Sequence, residues 1–429
     1  MDRKLSLPEH MMCLASDGAP INFILTARIL GRVSEDELRR ALAKAGQKHP
    51  LLAVRVVDGE NGRFHFIPLT APTFPIRLVP RESDNTWQRE VEQELTVHFD
   101  WRAGPLVRFV CVQDEAVTDL LVVCHHALTD GLSALYLIHN LMQFLGEPET
   151  AVTPLPLLPP ADQMLPKAFL RRPAVVLKTT FIRAMLKAMA VQHRFKKSTP
   201  PPFTFQPTPN LAFQMISWRL AEEETTAVVQ RAKHENTSVH AALCAAFLKT
   251  FAVMEGETSG WQRTVSSPIS IRKRLAPPVG EDFGLFITLV ETSADCQPER
   301  DFWQIAREIK QALTRDSADE KILAQSAISR YLQPGAPGLE RFNDWGSIHY
   351  DLSITNLGRF EYPTVYGPLR LEAIFGPVVT TMETEKILGV TTVAGQLCFT
   401  FVFRPADLSL EQAQQIQTQA MAYLTAACR

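Results

Sequence analysis

The sequence predicts an α/β protein built from two lobes, each a mixed β-sheet with helices. Three observations carry that expectation. Strand-length apolar runs alternate with segments of helical period along both halves of the chain. Two proline clusters, Pro154 to Pro173 and Pro200 to Pro209, fall near the middle; proline fixes φ and removes a backbone donor, so both read as extended connections. Finally, 429 residues at 46% hydrophobic are too many for one small core and enough for two or three. The division is expected at residues 1–173 and 174–429.

In the first part, residues 21–30 read as a strand. Ser34 then stands three residues before Glu37, a capping-box spacing, and opens a helix carrying Leu38, Ala41, Leu42 and Ala45. Residues 51–57, 64–67, 107–112 and 119–124 are apolar runs of strand length, and 132–144 is helical in period. Between the proline blocks, Leu177, Phe181, Met185 and Met189 recur every fourth position with Arg183 and Lys187 on another face, so residues 174–192 form an amphipathic helix. Further on, residues 215–220 read as strand, 222–233 as helix, and 238–253 as a largely apolar, buried helix. Strands are expected at 264–271, 285–290, 369–375, 387–393 and 397–403, with a closing helix at 409–426.

Composition excludes several classes. Lysine plus arginine number 44 against 46 acidic residues, for a net charge of −2; a disordered chain would be less apolar and less balanced, and a nucleic-acid binder more basic. The first residues include Asp2, Arg3, Lys4 and Glu9 and do not form a secretory signal, and no run approaches the ~20 apolar residues of a membrane span. Seven cysteines without a C-x-x-C pair fit a reduced compartment, and the expected location is cytoplasmic. There is no G-x-S-x-G elbow, Walker loop or G-x-G-x-x-G, and Ser238 stands where a zinc-protease helix beginning at His234-Glu235 would need its second histidine.

Chemistry concentrates instead in Cys124-His125-His126-Ala127-Leu128-Thr129-Asp130-Gly131, where a buried strand gives way to a helix. Side chains alternate along a strand, so His125 and His126 do not both face one ligand without a bend, and one histidine is the actor. An imidazole with a pKa near ~6.5 accepts a proton from a hydroxyl or amine at neutral pH. Asp130 is placed to orient it, to cap the following helix or to pair with an arginine, and Gly131 to let the backbone turn tightly. A packed histidine pair with Asp130 as a plain N-cap is the bland alternative. A metal held by Cys124, His126 and Asp130 lacks a nearby fourth ligand.

His125-His126-x-x-x-Asp130-Gly131 resembles the HHxxxDG signature of the condensation-domain and chloramphenicol acetyltransferase-like superfamily, which includes polyketide-associated acyltransferases, plant HxxxD acyltransferases and wax ester synthases. Other segments support the resemblance. Lys48-His49-Pro50-Leu51-Leu52 is similar to the family's "RHPLL" turn, Phe99-Asp100 with Gly104-Pro105-Leu106-Val107-Arg108 to "FD…GPLxR", and Thr237 to Leu243 to its "TxnaxLlaA" helix. Order and spacing agree over nearly the whole chain. Thr355-Asn356-Leu357-Gly358 resembles "SNxG" with Thr for Ser, and Asp282-Phe283-Gly284-Leu285-Phe286 departs from the plant DFGWG, which argues against the plant branch.

The resemblance implies two chloramphenicol acetyltransferase-like lobes with an active-site tunnel between them. It implies His126 as the base, His125 as mainly structural, and Asp130 turned away to pair with an arginine of the second lobe, Arg272 or its competitor Arg274. Asn356 would position substrate or polarise the acyl carbonyl; a plain turn needing positive φ at Gly358 is the alternative. The implied reaction is acyl transfer from a thioester to a hydroxyl, forming an ester, with no tightly bound cofactor and no metal. The thioester would be acyl-CoA or a phosphopantetheine-carrier thioester brought by an acyl carrier protein, and the acceptor a small-molecule or lipid alcohol. An amide-forming condensation enzyme and a silent carrier-recruiting module are the alternatives. Residues 163–221 contain no Asp or Glu while Lys167, Arg171, Arg172, Lys178, Arg183, Lys187, Arg194, Lys196 and Lys197 are present. A basic helix of this kind docks an acidic carrier, a CoA phosphate or an anionic membrane surface, or is simply a solvated face.

Overall fold

The computed structural model describes residues 2–59, 62–195, 211–256, 260–330, 350–380 and 386–428. Among these, a small sheet and two six-stranded sheets organise the chain. The small sheet joins β1 (Arg3–Lys4), β4 (Phe64–Pro68) and β3 (Val54–Asp58). The first large sheet runs β12 (Val365–Tyr366), β13 (Leu369–Val379), β2 (Asn22–Leu30), β7 (Val117–His125), β6 (Val107–Gln113), β5 (Ile76–Pro80). The second runs β10 (Ile287–Asp295), β9 (Gln262–Ser270), β11 (Leu352–Arg359), β14 (Ile387–Val393), β15 (Gln396–Phe403), β8 (Gln214–Leu220).

Helices α1 (Leu7–Ala15), α2 (Glu35–Lys48), α3 (Thr86–Glu94) and α4 (Gly131–Gly146) belong to the first half. The connection carries α5 (Lys167–Leu170) and α6 (Pro173–Phe195). Then follow α7 (Glu222–His234), α8 (Val239–Glu255), α9 (Phe302–Asp316), α10 (Asp319–Ser329) and α11 (Leu410–Cys428). Local chemistry explains their starts. At α2, Ser34 Oγ accepts from the Glu37 amide while the Glu37 carboxylate accepts from the Ser34 amide, which satisfies two donors that the first turn leaves unpaired. Ser6 and Glu9 do the same at α1, where Glu9 is buried against Arg3 at 2.8 Å. The apolar sequence of α8 is explained by burial from Ala241 to Ala252 within the second core.

Three expectations are corrected. Residues 51–57 do not form one strand: Pro50–Ala53 make a 3-10 turn, favoured by proline at its start, and β3 begins at Val54. The strand expected at 285–290 begins at Ile287, because the Gly284 and Phe286 amides donate to Ser133 Oγ and to the Asp130 carboxylate at the start of α4. The division at 173 is crossed: β12 and β13 come from the C-terminal part yet belong to the first sheet. β13 pairs antiparallel with β2 from Arg370↔Leu30 to Val379↔Phe23 and buries Leu371, Ala373 and Ile374 in the first core. The exposed edge of β2 is thereby closed, and the two lobes share a covalent strand crossing.

The helix expected at 174–192 is present as α6. Leu177 and Phe181 of its stripe are exposed, however, while Met185 is half-buried and Val175 is the buried contact. The side chain of Met189, Lys196, Lys197 and the cluster Pro200 to Pro209 lie outside the described residues.

Candidate active site

β7 ends at His125 in the middle of the first large sheet, and the chain turns once through a 3-10 segment, His126–Leu128, before α4 begins. Backbone bonds hold the turn from both neighbours: the His125 amide donates to Leu106 O at 2.9 Å and the His126 amide to Ile21 O at 2.8 Å. This turn supplies the bend that separates the two histidines. His125 is fully buried, accepts through Nδ1 from the Ala127 amide at 3.1 Å, and packs edge-on to Phe99. Burial, with His126 and Arg108 nearby, pushes its pKa down to about 3, so it remains neutral.

His126 is 8% exposed, with Phe23 tilted against its ring. Its Nδ1 lies 2.9 Å from Thr129 O. A carbonyl oxygen only accepts, so Nδ1 carries the hydrogen and Nε2 carries the lone pair. Among the described residues Nε2 has no hydrogen-bond partner. Burial lowers the imidazole pKa, opposed by the Thr129 carbonyl, which leaves the neutral, proton-accepting form at pH 7.

Asp130 faces elsewhere. One carboxylate oxygen caps α4 by accepting from the Ser133 amide at 2.8 Å; the other accepts from the Phe286 amide at 2.8 Å. Arg272, from the second lobe, donates through Nη2 to both oxygens at 3.0 and 3.2 Å and to Ser133 Oγ at 2.6 Å. Arg272 Nη1 donates to the carbonyls of Gly280 and Asp282, both at 2.9 Å, and its guanidinium lies 4.6 Å from the Phe286 ring centroid. The loop at Asp282-Phe283-Gly284 closes the arrangement. Gly284 O accepts from Ser133 Oγ at 2.7 Å and from the Asp130 amide at 3.2 Å, and the Gly284 amide donates to Ser133 Oγ at 3.0 Å. Of the two candidate arginines, the geometry selects Arg272; Arg274 pairs with Asp319 at 2.7 Å and with the carbonyls of Ser270 and Ser317.

Gly131 serves a purpose other than the expected turn. A Cβ there would stand 2.2 Å from Leu357 Cδ2, so its small size lets the start of α4 approach β11 of the other lobe. Leu357 is the neighbour of Asn356, whose Oδ1 accepts from the Gly358 amide at 2.8 Å. Gly358 has φ +77°, and the pairing of β11 with β14 shifts register between Asn356 and Arg359. Asn356 therefore spends its oxygen on a local turn within a bulge, as the alternative reading expected. Among the described residues its Nδ2 donates to no group.

The structure thus brings His126, Asp130, Gly131, Arg272 and the Asn356 turn together where α4 meets the second lobe. The metal arrangement of Cys124, His126 and Asp130 is not assembled, because the Asp130 oxygens are occupied by Arg272 and two amides. Among the described residues no group of three or more His, Cys, Asp or Glu is arranged to hold a metal ion. Sequence reasoning missed Ser133, the Thr129 carbonyl and the Phe286 amide. Ser133, three residues after Asp130, carried the one readable signal, as the third position of a capped helix.

Residues 17–159 match the condensation domain family, and residues 209–402 match the family described as the phthiocerol/phthiodiolone dimycocerosyl transferase C-terminus. A phthiocerol/phthiodiolone dimycocerosyl transferase of Mycobacterium ulcerans is 24% identical over 331 residues, covering 74% of each chain. Two solved structures share the fold. Trichothecene 15-O-acetyltransferase from Fusarium sporotrichioides superposes with a TM-score of 0.74 at 12% identity, covering 100% of this chain and 96% of that one. The first condensation domain of the CDA synthetase superposes with a TM-score of 0.73 at 15% identity, with the same coverage.

Proposed function

We propose that this chain, whose residues 17–159 match the condensation domain family and whose residues 209–402 match the phthiocerol/phthiodiolone dimycocerosyl transferase C-terminus family, transfers an acyl group from a thioester to a hydroxyl acceptor with His126 as general base. The observation that carries this reading is the tautomer of His126: Nδ1 is tied to Thr129 O, and Nε2 presents a lone pair with no partner among the described residues. In the proposed reaction Nε2 takes the proton of the acceptor hydroxyl as its oxygen attacks the thioester carbonyl carbon. A C–O bond forms, the tetrahedral oxyanion collapses, the C–S bond breaks, and the departing sulfur takes the proton back from His126.

Thioesters are already activated, so orientation, one base and one donor suffice without a covalent acyl-enzyme. Asn356 Nδ2 is the donor assigned to the acyl carbonyl, its amide orientation fixed by the bond from Gly358 N to Oδ1. Asp130, His125 and Arg272 touch none of the reacting atoms in this scheme and act as positioning residues. The donor is acyl-CoA or a carrier-bound phosphopantetheine thioester, and the acceptor a small-molecule or lipid alcohol.

Incubation with a panel of acyl-CoAs and acceptor alcohols, read by product mass together with thiol release, tests the reading. Ester product with stoichiometric thiol supports it; thioester binding without thiol release contradicts it. The match of residues 17–159 to the condensation domain family gives amide formation its place as the second reading, and amine acceptors in the same panel decide between ester and amide.

A further inference from the structure

Among the described residues α6 packs on the rest of the protein along one side. Val175 is buried and Thr179 and Ile182 are half-buried, one helical turn apart; Val175 and Thr179, with Lys178 at the edge, face α10 across a cleft that Glu320, Lys321, Ala324 and Ile328 also line. At about 100° per residue, Leu177, Phe181, Ala184 and Ala188 fall on the opposite side. An ordinary surface helix is polar there. Here Leu177 is 74% and Phe181 69% exposed, with Val176 at 45%.

Charge frames this apolar strip. The same angular placement puts Lys187 along one border and Lys178, which is exposed and also lines the edge of the α10 cleft, along the other, and Lys167, Arg171 and Arg172 are exposed around the N-terminal end of α6. Residues 163–221 contain no Asp or Glu, and the acidic residue that shares the cleft with Lys178 is Glu320 of α10. Among the described residues no single helix is long and apolar enough to cross a membrane, so the pattern is that of a helix lying on a surface.

We infer that α6 docks the protein on an anionic phospholipid surface, with Leu177 and Phe181 inserted at the headgroup boundary and Lys178 and Lys187 against the phosphates. The pattern favours a bilayer over an acidic carrier protein. Two large apolar side chains one turn apart on a convex helix fit a fluid interface that closes around them, and basic residues on both borders meet phosphate on both sides. This docking stands apart from the proposed chemistry, since none of its residues belongs to the His126 site.

The test is co-sedimentation of the full chain with vesicles of phosphatidylcholine, with and without phosphatidylglycerol. Wild type sediments with the phosphatidylglycerol vesicles and is released as salt rises. The variants Leu177→Ser/Phe181→Ser and Lys178→Gln/Lys187→Gln each bind about tenfold more weakly or worse while keeping the wild-type urea midpoint. Equal sedimentation with and without phosphatidylglycerol overturns the inference, and so does wild-type binding by the apolar double variant. Loss of an acidic carrier protein from a pull-down by variants that still bind vesicles overturns it in favour of carrier docking. Because the readout is sedimentation, it remains decisive even if no acyl transfer is found.

Discussion

Asp130 and Arg272 offer the sharpest test of how the motif works, because their side chains are 1% and 3% exposed and meet at 3.0 Å. Asp130→Asn keeps the shape but leaves the guanidinium buried without its counter-charge, which costs about 3–5 kcal/mol, a large part of the ~5–15 kcal/mol that holds a typical domain folded. Arg272→Met leaves a carboxylate that still accepts from the Ser133 and Phe286 amides, so it costs less, about 2–4 kcal/mol. The double variant removes both charges and loses at least ~2 kcal/mol less than the two single losses added. Urea unfolding at constant slope measures all three. Acyl-transfer assays on the same proteins should show both single variants impaired alike, because both loosen the turn whose Thr129 carbonyl holds His126. Additive stabilities, or turnover lost in Asp130→Asn and kept in Arg272→Met, would refute the positioning role and make Asp130 a direct partner of the chemistry.

The close approach of Gly131 to Leu357 predicts that Gly131→Ala costs about 1–3 kcal/mol by overpacking, and that Leu357→Ala in the same chain recovers part of the loss; unfolding midpoints of the two single variants and the pair check this. Acid stability should follow the buried histidines. His49 is pushed down to about 4 by burial, so the unfolded chain takes up its proton first and stability falls as pH drops from ~6.5 towards about 4, by on the order of 3 kcal/mol from this residue. His49→Gln, which keeps a donor for Asn140, should flatten that decline in a series of urea titrations. For catalysis, the lowered pKa of His126 means that the base form persists into mild acid: turnover is level across neutral pH and falls only once pH drops below the ordinary imidazole range of ~6.5.

Much of the site was readable from types and spacings in the sequence. The HHxxxDG string marked the turn after β7, and the resemblance supplied Arg272 as one of two candidate partners; choosing it over Arg274 needed the fold, because both stand beside Ser270 and only packing decides which one turns inward. Gly131 was legible as special but not for its reason, since no local pattern announces a leucine arriving from another lobe. The same limit explains β13. Its strand character was plain in an alternating apolar run, yet its place beside β2 is a contact between residues more than three hundred positions apart. Other gaps were local. β5 is short and ends at Pro80, and α3 has no side-chain cap to announce it. α9 carried a clear signal in Asp301 as cap with Phe302, Ile305, Ile309 and Leu313 at helical spacing. α6 shows the opposite case: its stripe of apolar residues predicts the helix correctly, but amphipathicity alone does not say which side finds a partner.

The most direct measurement of the central claim compares wild type with His126→Ala in steady-state thioester-to-alcohol transfer, after unfolding curves have shown both proteins folded. Removal of the Nε2 lone pair should lower kcat/KM by about 10²–10⁴-fold. Turnover in the variant equal to that of wild type would contradict the account.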